Sequence, residues 1–349
     1  MENFPLGGAT IIRIFMRIQL RHTFEEIRSL DNLLAAWQKF LHGKRNKPDV
    51  QAFGHALIEN LVGLHEDLTH RQYRHGGYQA FTISDPKPRN IHKASVRDRV
   101  LHHAVYRVLY PWFDRIFMYD SYSCRREKGT HKALGRFTEF GYKVSQNNTQ
   151  TCWVLKCDIK KFFASIDQNV LLGILITYIS DPDLLWLLKE IITSFYSTAP
   201  GKGLPLGNLT SQLLVNVYMH EFDYFVKHQL KARHYIRYAD DFVLLSTDRQ
   251  WLVRQIPLME KFLYDVLSLS LHPDKVYIRS LASGLDFLGW VHFPDYKVMR
   301  PATARRMVKR VRENPSPETV NSYLGLMRHG NTEGLTKVVL NEYGLLKQK

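Results

Sequence analysis

Two acids stand side by side at Asp240-Asp241, inside the stretch His234 to Ser246. The runs on either side are rich in β-branched and aromatic residues, which reads as a β-hairpin with the acids at its turn. On an extended strand neighbouring side chains point to opposite faces, so adjacent acids cannot both reach one site. At a turn, Asp240 is expected to face the site while Asp241 lies at its edge. Acids also suit turns for local reasons, so this pair decides nothing alone. A third acid, Asp158, ends the apolar run Val154-Leu155-Lys156-Cys157, as in a central strand that delivers one carboxylate at its tip. Carboxylates from two strands can hold a pair of divalent cations about 3.5–4 Å apart, activating a hydroxyl and stabilising the leaving oxygen in phosphoryl transfer. Mg²⁺ suits this pattern, with Mn²⁺ as a substitute, because it needs few carboxylates and takes other ligands from water and phosphates.

Three boxes resemble reverse transcriptases. Tyr238-Ala239-Asp240-Asp241 resembles their YxDD box, and the run from Asp158 to Asp167 resembles their first catalytic motif. Between them, Gly203 to Gln212 resembles the template- and nucleotide-positioning motif. The three occur in family order with family-like spacing, and the resemblance runs from about Leu30 to about Tyr343. It is closest to the enzymes of diversity-generating retroelements and their bacterial relatives. The fold it implies is a right hand with fingers, an antiparallel-sheet palm and a short helical thumb. The boundaries expected are an N-terminal arm or helix over 1–29, fingers over 30–150, palm over 151–295 and thumb over 296–349.

Composition agrees with such a partner class. The chain of 349 residues carries 48 basic and 33 acidic residues, a net charge of +15. That field favours a polyanion, and nucleic acid is the expected one. Cys124, Cys152 and Cys157 are odd in number and lack zinc spacing, so neither a disulfide framework nor structural zinc is expected, and a reducing cytoplasm is the natural setting. The apolar stretch Ile11 to Leu20 is interrupted by Arg13 and Arg17, too short and too charged for a membrane span.

The elements that must position these boxes follow from periodicity. Helices are expected over Leu30–Leu41, Phe53–Leu68 and Val96–Phe117, with Pro111 breaking or kinking the last. A hairpin region is expected from Tyr73 to Pro88. After the strand at 153–158, helices are expected over Asn169–Ile179, Pro182–Tyr196 and Ser211 to about Leu230. Another runs from Trp251 to Leu267 despite Pro257. Phe287-Leu288-Gly289-Trp290 starts a small final sheet, and a helical region from Pro301 is divided near Asn314–Pro317 and Gly330. Uneven alternation of strands and helices implies an α+β fold.

The resemblance assigns further roles. Ile159 would lend a backbone carbonyl to the metals held by Asp158, Asp240 and Asp241. Lys160, Lys161, Phe162 and Phe163 would line the nucleotide. Phe163 would exclude a ribose 2′-hydroxyl, while adjacent Phe162 suits the core. Lys87 and Arg89 would grip the triphosphate, where arginine offers bidentate phosphate recognition. Leu206, Gly207 and Gln212 would meet the nascent pair, and Lys275 would approach the leaving pyrophosphate. Many family members have glutamine at the Leu206 position. The leucine offers no hydrogen bond, which implies relaxed discrimination or neutral drift. Phe287, Leu288, Gly289 and Trp290 would grip the primer. Arg305, Arg306, Lys309, Arg310 and Arg312 surround a thumb helix on all sides and would contact template or primer.

The activity implied is RNA-directed DNA synthesis from dNTPs on a noncoding RNA template and a DNA or RNA primer, yielding cDNA. An accessory protein or a second copy is expected as partner, and no membrane. No stretch after the thumb is long enough for ribonuclease H or an endonuclease, so those steps are expected from elsewhere. The rivals are an antiphage defence reverse transcriptase with its own noncoding RNA, and a catalytically silent RNA-binding scaffold. Three clustered acids argue against the scaffold.

Overall fold

The computed structural model describes residues 19–20, 23–84 and 88–347. The chain divides into two compact units, each assembled from three separated stretches. The first comprises residues up to Tyr119, Ile159–Gln229 and Pro257–His272; the second comprises Asp120–Asp158, Leu230–Ile256 and Pro273–Lys349.

The first unit is mainly helical. Helices Leu30–Phe40 and Val96–Ile116 pack together, burying Leu33, Ala36 and Trp37 from one and Val100, Leu101 and Ala104 from the other. Serine caps both: Ser29 accepts from the Asn32 N–H and Ser95 from the Asp98 N–H, satisfying donors that a helix start leaves open. Pro111 lies inside the second helix without ending it. A proline removes one backbone bond, and burial of Leu109, Tyr110 and Phe113 around it holds the helix together. The single helix expected over Phe53–Leu68 is two, Pro48–His55 and Leu57–Thr69, parted at Ala56 with ψ 38°. Strands β1 (Tyr78–Ser84) and β2 (Pro88–Ala94) form an antiparallel ribbon, Tyr78 opposite Ala94. Helix Leu209–Tyr224 is buried on nearly every side, as befits a helix inside a unit.

The second unit is built on a four-stranded antiparallel sheet. Its strands β3 (Trp153–Asp158), β4 (His234–Tyr238), β5 (Asp241–Ser246) and β6 (Tyr277–Ser280) lie in the order β4-β5-β3-β6. A second antiparallel sheet joins β7 (Leu285–Phe287), β8 (Trp290–His292) and β9 (Lys297–Met299). Helix Thr130–Val144 lays Ala133, Leu134, Phe137 and Phe140 on a core shared with Val154, Ile236, Val243 and Phe287. That helix is absent from the sequence expectations although its apolar residues recur at helical spacing. It starts at Gly129 with no side-chain cap, so the usual start signal is missing.

Helices Pro301–Glu313, Pro317–Met327 and Glu333–Lys347 break where expected. Their buried Met307, Val311, Val320, Met327 and Val339 join the same core as the sheets. Gly330 has no room for a side chain, because an added Cβ would collide with the Trp290 ring and sit 2.8 Å from the Lys297 carbonyl. Among the described residues no helix is long and apolar enough to cross a membrane.

Candidate active site

The hairpin of β4 and β5 closes as the sequence implies, with Tyr238 opposite Asp241. The turn is tight. Ala239 adopts φ 56°, a conformation that a residue with a Cβ enters at some strain. Buried Arg237 supports it, donating to the Ala239 carbonyl at 3.1 Å and to Ser121 Oγ at 3.0 Å. Segment 120–122 runs beside β4, where the Arg237 N–H donates to the Asp120 carbonyl and the Tyr122 N–H to the Arg237 carbonyl, both at 2.9 Å.

Register then decides which acids meet. On β3 and β5, Val154, Lys156 and Asp158 lie opposite Leu245, Val243 and Asp241. These residues share one face, because directly paired residues point the same way and side chains alternate along a strand. Asp241, expected at the edge of the site, is therefore the cross-strand partner of Asp158, and Asp240 occupies the turn itself.

Like charges directly opposed on a sheet repel, and here each paired acid meets a lysine. Lys275 Nζ donates to Asp158 Oδ1 at 2.8 Å. Lys156 Nζ lies 3.3 Å from Asp241 Oδ2 and donates to the Asp286 carbonyl at 2.8 Å. Burial pushes the Asp241 carboxyl up to about 7; Lys156 pulls it down, while Asp158 and Asp240 add to the rise. Asp241 Oδ1 is buried with no hydrogen-bond partner among the described residues. Opposed acids and an orphaned carboxylate oxygen are features that a bound cation relieves, so the residues fit a divalent metal. Among the described residues no group of three or more His, Cys, Asp or Glu is gathered closely enough to hold a metal ion, so the fit rests on the Asp158–Asp241 pair and not on a three-carboxylate cluster.

The first unit carries the Gly203–Gln212 loop and the segment after Asp158. Ile159 is buried and bridges Leu271, and the Lys160 N–H donates to the Ser270 carbonyl at 2.9 Å. Lys161, at φ 47°, leads into the short helix Phe162–Ser165. Lys160 and Lys161 are exposed and Phe163 is half-buried. Phe162 is buried in the core, the packing position that its sequence context suits. The loop around Leu206 is set by backbone contacts: the His92 N–H donates to the Leu206 carbonyl at 3.0 Å, and Asn208 Nδ2 to the His92 carbonyl at 3.3 Å. Gly207 has φ 103°, and a Cβ there would come within 2.8 Å of Ile91 Cγ2. Leu206 and Gln212 are half-buried, and Arg89 is exposed on β2. Lys87 lies outside the described residues.

Other expectations change with burial. Phe287 and Trp290 are core residues, and the turn between them, Leu288 and Gly289, has φ 50° and 88°. On helix Pro301–Glu313 the basic residues do not surround the axis. Ala304, Met307, Val308 and Val311 form an apolar stripe on the core, confining Arg305, Arg306, Lys309, Arg310 and Arg312 to the remaining arc. Arg312 is engaged by Glu342 and Lys309 lies 3.5 Å from Glu313. Sequence reasoning missed Lys156 and Arg237. Their signal was a charged residue within an otherwise apolar strand.

Comparison with known proteins agrees with the boxes. A family profile described as reverse transcriptase (RNA-dependent DNA polymerase) matches residues 84–292. The chain is 24% identical over 290 residues to protein YkfC of Escherichia coli (strain K12), covering 69% of this chain and 74% of that protein. It is 24% identical over 283 residues to group II intron-encoded protein LtrA of Lactococcus lactis subsp. cremoris, covering 61% of this chain and 45% of LtrA. An uncharacterized 91 kDa protein in the cob intron of Schizosaccharomyces pombe is 27% identical over 157 residues, 44% of this chain and 17% of that protein. The chain thus spans less than half the length of these intron proteins.

Proposed function

This chain belongs to the reverse transcriptase family and is an RNA-directed DNA polymerase; we propose that it copies a dedicated noncoding RNA into cDNA, with relaxed fidelity at template adenines, as in diversity-generating retroelements. The observation that carries the polymerase chemistry is the register that sets Asp158 opposite Asp241 with Asp240 at the adjoining turn.

In this reading residues 30–150 serve as fingers, 151–295 as palm and 296–349 as thumb, preceded by an N-terminal arm. Asp158 and Asp240, with Asp241 and the Ile159 carbonyl in support, would hold two Mg²⁺ ions. When bound, the ions activate the primer 3′-hydroxyl and stabilise charge on the leaving oxygen. Arg89, Lys160 and Lys161 bind the triphosphate. Phe163 occupies the space of a 2′-hydroxyl and so selects dNTPs. Lys275, now on Asp158, turns to the pyrophosphate and supplies a proton as it leaves. The exposed cations Arg305 and Lys309 attract the template–primer duplex. An accessory protein or second copy presents the RNA.

Leu206 supports the mutagenic reading, because an aliphatic side chain places no hydrogen bond on the nascent pair and leaves selection to shape. The test is primer extension on one defined RNA with Mg²⁺ and dNTPs, followed by deep sequencing of the cDNA. Errors concentrated opposite template adenines, and fewer in Leu206→Gln, are expected. Uniformly low error at all four bases removes this reading and favours a defence enzyme. Undiminished synthesis by Asp240→Asn removes the metal assignment.

A further inference from the structure

The two lysines at the acid pair differ in kind. The Lys275 side chain, at the end of the short turn Pro273–Lys275, is 41% exposed and pairs with Asp158. A ligand arriving from solvent can displace it. The Lys156 side chain is 10% exposed and held at two points, the Asp241 carboxylate and the Asp286 carbonyl. It lies on β3 two residues before Asp158, on the face that carries both acids. A lysine buried this far is retained only where its charge is paired and its donors are used.

The second contact leads away from the acids. Asp286 belongs to β7, and its side chain pairs with Arg300. The Arg300 N–H donates in turn to the Gly289 carbonyl at 3.0 Å, in the turn between β7 and β8. Lys156 thus joins the acid-bearing end of the central strands of the four-stranded sheet to β7 of the three-stranded one. With Oδ2 committed to Lys156, the orphaned Oδ1 is the oxygen of Asp241 left to accept a further partner.

We propose that Lys156 is a positioning residue: it fixes the Asp241 carboxylate against the Asp286 carbonyl of β7, so that Asp241 presents Oδ1 to the divalent ions. This rests on the two-metal reading above. Outer partners of metal-binding carboxylates set ligand orientation, and their loss costs about 10–100-fold in metal affinity or activity.

The test is Mn²⁺ titration of the full chain without nucleotide, read by electron paramagnetic resonance. Wild type, Lys156→Met, Lys156→Arg, Asp241→Asn and the double variant Lys156→Met/Asp241→Asn are compared, with melting curves confirming fold. Lys156→Met is expected to weaken Mn²⁺ binding about tenfold or more, and Lys156→Arg to stay within about threefold of wild type. In the Asp241→Asn background, adding Lys156→Met is expected to change affinity less than about twofold, because both act through one carboxylate. Unchanged or tighter binding by folded Lys156→Met overturns the proposal, as does an equal loss in both backgrounds. Should Lys156→Met not fold, a tenfold loss in folded Lys156→Arg overturns it. Asp240→Asn is run alongside: undiminished Mn²⁺ binding by that variant fells the two-metal reading itself, whatever Lys156 does.

Discussion

The acid end of the second unit and the Gly203–Gln212 loop of the first achieve position by opposite means. At the acid end, side-chain charge does the placing: two opposed carboxylates are each met by a lysine, and a buried arginine supports the turn carbonyl. In the loop, backbone does the placing. Leu206 is fixed through its carbonyl, Asn208 reaches a carbonyl, and Gly207 permits an approach that no Cβ allows. The first region fails when a charge is altered, the second when a shape is altered. On the proposed function, charge errors would strike chemistry and shape errors nucleotide fit.

That contrast is sharpest for Asp158→Asn, which keeps shape and removes charge. DNA synthesis should fall by about 10³-fold or more, on the order of several kcal/mol of lost transition-state stabilisation. Melting temperature should hold or rise, since the opposed Asp241 loses a like charge. Single-turnover extension together with thermal melting reads both. A variant that melts well below wild type would show that the acid end, too, is placed by packing.

Gly207→Ala is the reverse case, adding one methyl and no charge. The left-handed backbone and the Ile91 contact should together cost on the order of 1–3 kcal/mol locally. KM for dNTPs should rise about tenfold while single-turnover chemistry at saturation changes little. Adding Ile91→Ala should recover part of the loss by removing the methyl that the new Cβ meets. A fall in the saturated rate alone, with KM intact, would place Gly207 with the acids.

Phe163→Val tests shape at a side chain. The rNTP-to-dNTP ratio should rise roughly tenfold, about the value of one modest steric contact. Competition on a single template reads it. An unchanged ratio with full activity would make Phe163 a packing residue like Phe162.

The last effect is on stability alone and concerns burial away from either region. Burial of His292 in β8 pushes its imidazole down to about 3, with Lys297 adding to the fall and a bond to the Phe287 backbone opposing it. The ordinary value near 6.5 applies when unfolded. Above that value both states are neutral and stability is fully present. As pH falls from 6.5 toward 3 the unfolded chain takes up the proton first, so stability drops, by about 2 kcal/mol at pH 5. His292→Gln should flatten that part of the stability curve in denaturant melts. An unchanged slope would assign the acid loss to other histidines, such as half-buried His103, which burial lowers to about 4.

The sequence by itself determined the three boxes, the strand ending in Asp158, the hairpin at Asp240-Asp241 and the breaks at Asn314–Pro317 and Gly330. These are local statements: periodicity, turn chemistry and motif spacing are all held within short stretches of chain. It also showed the net charge that points to a polyanion. What it did not determine was partnership across distance. Strand register alone turned Asp241 from an edge residue into the partner of Asp158. Folding alone put Phe287 and Trp290 in the core and gave the helix of Arg305 a buried side. Lys156 and Arg237 read as anomalies in apolar strands until the structure supplied their acceptors, Asp286 and Ala239, one of them 130 residues away in sequence. A side chain's type fixes which contact it can make; only the tertiary structure decides with whom, because burial and register are set by the whole chain.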